Sequence, residues 1–277
     1  MTVPVPSTLH AQDVSLGYGD RRVVGDLSLH IPTAKVTVIV GPNACGKSTF
    51  LRGLARLLPA TSGAVLLDGR SIHSTPSRDV ALKLGILPQG PIAPDGITVS
   101  DLVSRGRHPH QGYFRRWTSE DDEAVGAALS ATGTLELAAR SVDELSGGQR
   151  QRVWIAMALA QRTGILLLDE PTTYLDVSHQ VEVLDLLMDL NEAEGSTVVM
   201  VLHDLNLACR YADHLVVMKD GAIVAAGEPG AVLTEHVVES VFGMRCRVMS
   251  DPVSHTPLIV PIGRHRVGSY RKAGETE

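Results

Sequence analysis

Apolar positions along the chain follow two alternating rhythms. Short β-branched runs such as Lys35-Val36-Thr37-Val38-Ile39-Val40 and Val198-Val199-Met200-Val201-Leu202 are each the length of one buried strand. Between such runs lie stretches with helical spacing, for example Thr49-Phe50-Leu51-Arg52-Gly53-Leu54-Ala55-Arg56-Leu57. Over residues ~35–90 and ~163–227 strand and helix alternate, which predicts a parallel sheet covered by helices on both faces. Residues ~7–31 hold β-like runs with no helix between them and predict an antiparallel sheet alongside. Residues ~95–160 are mostly helical and predict a separate lobe, with Thr98-x-x-Asp101 and Thr118-x-x-Asp121 as helix-start patterns. After about residue 245 the prolines Pro252, Pro257 and Pro261 predict irregular chain, ending in a polar and mobile tail.

The turn between the first of these strands and the first helix carries chemistry. Gly41-Pro42-Asn43-Ala44-Cys45-Gly46-Lys47-Ser48 fills the template G-x-x-x-x-G-K-[ST] without a mismatch, and Thr49 follows. Small residues let backbone N–H groups close around phosphates, and the helix N-terminus adds partial positive charge. Lys47 is placed to reach β- and γ-phosphates, and the Ser48 hydroxyl to ligate Mg²⁺. A second run, Ile165-Leu166-Leu167-Leu168-Asp169-Glu170, has the apolar content of a strand buried on both faces. Alone, such a run ending in two acids usually marks a strand meeting solvent. After a phosphate loop it predicts Asp169 on Mg²⁺ through a bound water and Glu170 orienting and deprotonating the attacking water.

Leu145-Ser146-Gly147-Gly148-Gln149 opens a third element, the helix pattern running to Ala160. Its Ser-Gly-Gly entry exposes several N–H groups at a helix start, a second anion site in a chain with one phosphate-loop lysine. The economical reading is that this second end completes the site of another subunit. In these motifs the sequence resembles the ATP-binding cassette family over nearly the whole chain. That resemblance implies a P-loop α/β core with a mainly parallel sheet, an N-terminal antiparallel β subdomain and an inserted helical subdomain over about 95–160, all within residues 7–245, followed by a C-terminal extension over 246–277. It implies further roles: Tyr18 stacking on adenine, Gln89 sensing Mg²⁺ and the γ-phosphate, Asp176 crossing a dimer interface, and His203 contacting the γ-phosphate. Ser146, Gly147, Gly148 and Gln149 then touch the ATP of a partner copy.

Composition narrows the setting. Net charge −6 argues against a nucleic-acid surface, and 44% hydrophobic residues can bury a substantial core. No stretch approaches the ~18 consecutive apolar residues of a membrane span, and the N-terminus lacks the pattern of a secretory signal. Membrane association is therefore expected through a partner. Cys45, Cys209 and Cys246 form neither a Cys-x-x-Cys pair nor an even set, which fits a reduced cytoplasmic setting. Cys45, beside Lys47 at a helix N-terminus, has the surroundings of a thiol with lowered pKa that alkylates readily. No G-x-G-x-x-G follows a strand, which excludes a dinucleotide-binding oxidoreductase.

Cargo is sought in Ser104-Arg105-Gly106-Arg107-His108-Pro109-His110-Gln111-Gly112-Tyr113-Phe114-Arg115-Arg116-Trp117, which gathers Arg and His with scarce aromatics. Exposed clusters of that kind favour a protein partner over local packing. The stretch is similar to the Arg-x-Pro-His…Phe-x-x-Trp segment of ATPases serving ferric-siderophore (ferric-enterobactin-like) importers, and Leu202–Ala212 and Asp251–Pro261 match the same group. The resemblance implies an ATP-hydrolysing, Mg²⁺-dependent homodimer at the cytoplasmic face of the membrane. It would work with two membrane-spanning permease subunits and, indirectly, a siderophore-binding protein. Cobalamin and haem importers are related, and a soluble non-transport cassette ATPase is the other alternative. Two positions depart from common patterns: Ala44 replaces the usual inner glycine of the phosphate loop, and Tyr174 replaces a smaller residue. If the chain at Ala44 needs φ > 0, the side chain costs about 1 kcal/mol.

Overall fold

The computed structural model describes residues 7–111 and 117–265. The N-terminal half runs β1 (Leu9–Tyr18), β2 (Arg21–Ile31), β3 (Val36–Val40), α1 (Lys47–Leu54), β4 (Ser62–Leu67), β5 (Arg70–Ser71), α2 (Ser77–Ala81) and β6 (Leu84–Leu87). The helical lobe holds α3 (Val99–Ser104), α4 (Ser119–Ala131) and α5 (Gly147–Ala160). Then follow β7 (Ile165–Asp169), α6 (Val177–Glu194), β8 (Thr197–Val201), α7 (Leu205–Tyr211), β9 (His214–Lys219) and β10 (Ala222–Gly227). The chain closes with α8 (Pro229–Val232), α9 (Glu235–Phe242), β11 (Cys246–Ser250) and β12 (Pro257–Pro261).

The main sheet has the order β10-β9-β3-β8-β7-β6, parallel from β9 to β6 and antiparallel only at the β10 edge. Its central strands are apolar throughout because both faces are covered, and their period of two divides them between two cores. Val36, Val38 and Val40 face one core with Leu166, Leu168, Val198 and Met200, while Ile39 faces the other with Leu167, Val199 and Val201. Each such side chain contributes about 1.5–3 kcal/mol on burial, so a charge at Val38 would break the sheet at its middle. The second core is closed by the antiparallel sheet β2-β1-β4-β5, through Leu9, Leu16, Leu29 and Val65. This is the mainly parallel α/β core with an antiparallel subdomain that the sequence predicts.

Both helix-start patterns in the lobe are realised. Thr98 accepts the Asp101 N–H at 3.1 Å, and Asp121 Oδ2 accepts from the Thr118 N–H and hydroxyl at 3.1 and 2.9 Å. Two expectations fail. Chain after residue 245 is not irregular: β11 and β12 pair antiparallel from Cys246↔Pro261 to Ser250↔Pro257. Pro257 and Pro261 occupy the two ends of β12, where a missing N–H costs little, and Pro252 lies in the turn. The tail beyond 265 lies outside the described residues. Arg107 is not a member of an exposed cluster either. It is fully buried, donating from Nε to Asp121 Oδ1 and from Nη1 to the Ala160 carbonyl, both at 2.9 Å. His110 pairs with the Gln161 carbonyl at 2.7 Å, so this stretch binds α3 to α4 and α5 before it reaches the surface. Tyr113, Phe114, Arg115 and Arg116 lie outside the described residues; Trp117 is part-exposed and donates to Asp122 at 2.6 Å.

Candidate active site

β3 delivers the phosphate loop at the C-terminal end of the central strands, and close packing dictates its glycines. A Cβ on Gly41 would stand 2.2 Å from the Met218 carbonyl oxygen at the end of β9. Gly46, at φ 107, turns the chain into α1, and Ala44 adopts φ 62. The left-handed strain of about 1 kcal/mol expected for a side chain at that position is therefore present. Lys47 is buried, its Nζ donating to the carbonyls of Gly41 and Pro42 at 2.8 and 2.9 Å. Ser48 Oγ donates to Asp169 Oδ1 at 2.9 Å, joining the start of α1 to the end of β7.

A cavity of about 670 Å³ opens in front of this loop. Asn43, Ala44, Gly46, Lys47, Ser48 and Thr49 form its floor, Gln89, Glu170 and His203 one wall, and Tyr18 the rim. Tyr18 is half exposed, and its hydroxyl accepts from Arg52 at 3.2 Å. Gly41 and Pro42 stand behind the lysine and Asp169 behind Ser48. Arg21 and Val23 also line the cavity and were missed in the sequence; the strand pattern that follows Tyr18 carried them, since Arg21 pairs directly with Tyr18 across β1 and β2.

At the wall, Glu170 is held with φ 56 just beyond β7. One of its oxygens lies 2.6 Å from His203 Nε2 and the other accepts from Thr173 Oγ1 at 3.1 Å. Asp169 is buried, and its Oδ2 has no hydrogen-bond partner among the described residues. Burial pushes this carboxyl above its usual range, opposed by the Ser48 hydrogen bond and reinforced by the charge of Glu170. An unsatisfied buried carboxylate oxygen beside a hydroxyl is the donor set a hard divalent cation takes.

Cys45 corrects an expectation. Its side chain turns away from the cavity into the core beneath the antiparallel sheet. Burial raises its thiol pKa and outweighs the lowering by Lys47, so helix position and neighbouring charge do not produce a reactive thiolate.

The Ser-Gly-Gly helix start singled out in the sequence lies elsewhere on the chain. Ser146 caps α5 by accepting the Gln149 N–H at 3.3 Å, while Gln149 Oε1 accepts the Ser146 N–H at 3.1 Å. With Gly147, Gly148, Tyr174, Asp176 and His179 they line a concavity of about 490 Å³ that shares no residue with the first. Asp176 caps α6, and its hydrogen bonds with His179 and Ser178 hold its carboxyl down to about 2. Tyr174 is 80% exposed at φ 68, and Val177 is 76% exposed. The chain thus carries two concavities built from separate sets of residues.

Comparison with known proteins agrees with this geometry. Residues 24–173 match the family described as ABC transporter. The chain is 56% identical over 260 residues to the "Probable siderophore transport system ATP-binding protein YusV" of Bacillus subtilis (strain 168), spanning 94% of each. It is 53% identical over 256 residues to the "Ferric enterobactin transport ATP-binding protein FepC" of Escherichia coli (strain K12), spanning 92% of this chain and 94% of that one. Among solved structures, the one described as "An inward-facing conformation of a putative metal-chelate type ABC transporter" superposes with TM-score 0.79 at 27% identity, over 93% of this chain and 98% of that one. A bacterial ABC transporter cassette solved as a dimer superposes with TM-score 0.72 at 28% identity, over 79% and 98%.

Proposed function

The chain belongs to the ABC transporter family, and on that premise we propose that it is the ATPase that powers import of a ferric siderophore. The observation that carries the reading is the convergence of Lys47, the Ser48–Asp169 pair and the Glu170–His203 pair on one cavity. Backbone N–H groups of the phosphate loop and the ammonium of Lys47 hold the triphosphate, with adenine against Tyr18. Ser48, Asp169 and Gln89 are the residues that would hold Mg²⁺, and the unpartnered Asp169 oxygen supports that assignment. Bound Mg²⁺ neutralises charge on the β- and γ-phosphates. Glu170 accepts the proton of the water that attacks the γ-phosphorus, as ADP leaves. His203, 46% exposed on its side chain, is free to leave Glu170 for the γ-phosphate.

Two half-sites in one chain imply that two copies share two ATP molecules. Ser146, Gly147, Gly148 and Gln149 of one copy cover the phosphates bound by the other, with Asp176 at the same face. Exposed Tyr174 and Val177 border that face and favour burial against a partner. No helix among the described residues is long and apolar enough to cross a membrane. We place the dimer at the cytoplasmic face, on two permease subunits that receive siderophore from a binding protein. The stretch 107–117 and the helices after Gln89 are the proposed dock; Trp117 at the end of that stretch and Ile92 close after Gln89 are both exposed. The siderophore cargo rests on the relatives' names. Deleting this chain's gene should abolish uptake of radiolabelled ferric siderophore, restored by the parent chain and not by Lys47→Ala. Undiminished uptake in the deletion strain would remove the siderophore reading while leaving the ATPase untouched.

A further inference from the structure

His203 stands between β8 and α7, so its position depends on how α7 is anchored. Asp204 caps the helix, accepting N–H bonds from Asn206 and Leu207 at 2.8 and 2.9 Å. At the far end Tyr211 donates to Asp185 of α6 at 2.7 Å. A third anchor comes from the C-terminal hairpin. Asn206 Oδ1 accepts the Ile259 N–H at 2.7 Å, and Asn206 Nδ2 donates to the Ile259 carbonyl at 3.3 Å. The Ile259 side chain is buried in the same core as Leu202, Ala208 and Cys209. At the hairpin turn, Asp251 lies within electrostatic reach of Arg210 of α7.

α7 has seven residues, too few to be stable alone, and it begins two residues after His203. A shift at its start therefore passes directly to the imidazole, whose Nε2 lies 2.6 Å from Glu170. We propose that Asn206 is a positioning residue for ATP turnover: by clipping α7 to β12 it holds His203 in register with Glu170. The hairpin over 246–261 is then a working part of the ATPase. The proposal rests on the role given to His203 above.

A double-mutant cycle in the full chain tests it, with turnover expressed per nucleotide-binding site so that unfolded protein does not count. Asn206→Ala should lower kcat about tenfold, within the ~100-fold that a 1 Å misplacement can cost. KM for ATP should stay nearly unchanged, because the phosphate loop is untouched. In a His203→Ala background, Asn206→Ala should have no further effect on kcat, although its loss of thermal stability persists. Asn206→Asp, which keeps the acceptor for the Ile259 N–H, should restore most of the rate. The same fold loss with and without His203 would overturn the proposal, as would an unchanged kcat in Asn206→Ala. Full turnover in His203→Ala alone would sink the role of His203, a separate failure that removes the ground for the clip.

Discussion

Replacing Arg107 by alanine should unseat the helical lobe without touching the cavity. The guanidinium is fully buried and holds two partners, Asp121 of α4 and the Ala160 carbonyl of α5, each at 2.9 Å. Asp121 has 1% of its side chain exposed. With Arg107 gone, that carboxylate keeps only its bonds from Thr118, and the carbonyl loses its side-chain donor. Removing one partner of a buried ion pair costs about 3–5 kcal/mol, against roughly 5–15 kcal/mol for a whole domain. At ~2–4 °C per kcal/mol the melting temperature should fall by roughly 6–20 °C. Urea unfolding followed by circular dichroism measures the loss, and Arg107→Leu combined with Asp121→Ala should recover much of it. The pH dependence has a definite sign. Burial pushes the Asp121 carboxyl up, but hydrogen bonds from Arg107 and Thr118 outweigh this and hold it below the usual range. Stability from the pair is therefore full above the unfolded carboxyl pKa of about 3.9 and fades as pH drops through the lower folded value. A loss below about 1 kcal/mol at pH 7 would refute the buried-pair reasoning and return Arg107 to the surface.

Two further outcomes follow from the site. All three cysteines are buried, and burial lifts Cys209 to about 12, so a disulfide reagent should label none of them quickly in the native chain and all three in denaturant. Rapid labelling at Cys45 that MgATP blocks would show instead that its thiol is accessible from the cavity. Asp169→Asn should stabilise the nucleotide-free chain by about 1 kcal/mol at pH 7, because the buried carboxylate sits there for function. Since the folded pKa of Asp169 is raised, this gain should shrink as pH falls through it, while the response of nucleotide binding to Mg²⁺ is lost at every pH.

The phosphate loop, the acidic end of β7 and the Ser146 cap were legible because each is a local event. Strand, turn and helix lie within about 20 residues, and the side chains that matter belong to the motif itself. What escaped the sequence depends on contacts made by distant elements. Cys45 looks activated by its neighbours in sequence, yet the packing of β9 and the antiparallel sheet around the loop decides its burial. Arg107 reads as one of several surface arginines until α4 and α5 bring Asp121 and Ala160 to it. The C-terminal prolines suggest irregular chain because proline lacks a ladder N–H, yet strand ends tolerate it, and no local signal separates the two cases. Arg21 and Val23 lacked a motif of their own and reach the cavity only because β2 pairs with the end of β1.

In the proposed mechanism two copies of this chain enclose ATP, and Glu170 starts its hydrolysis. Light scattering on the purified Glu170→Gln chain, with and without MgATP, tests it alongside a phosphate-release assay. Turnover should fall at least ~100-fold while ATP still binds, and the monomer should become a dimer only when ATP is present. Adding Ser146→Arg to that variant should return the monomer. Parent-like phosphate release from Glu170→Gln, or a chain that stays monomeric with ATP bound, would contradict the account.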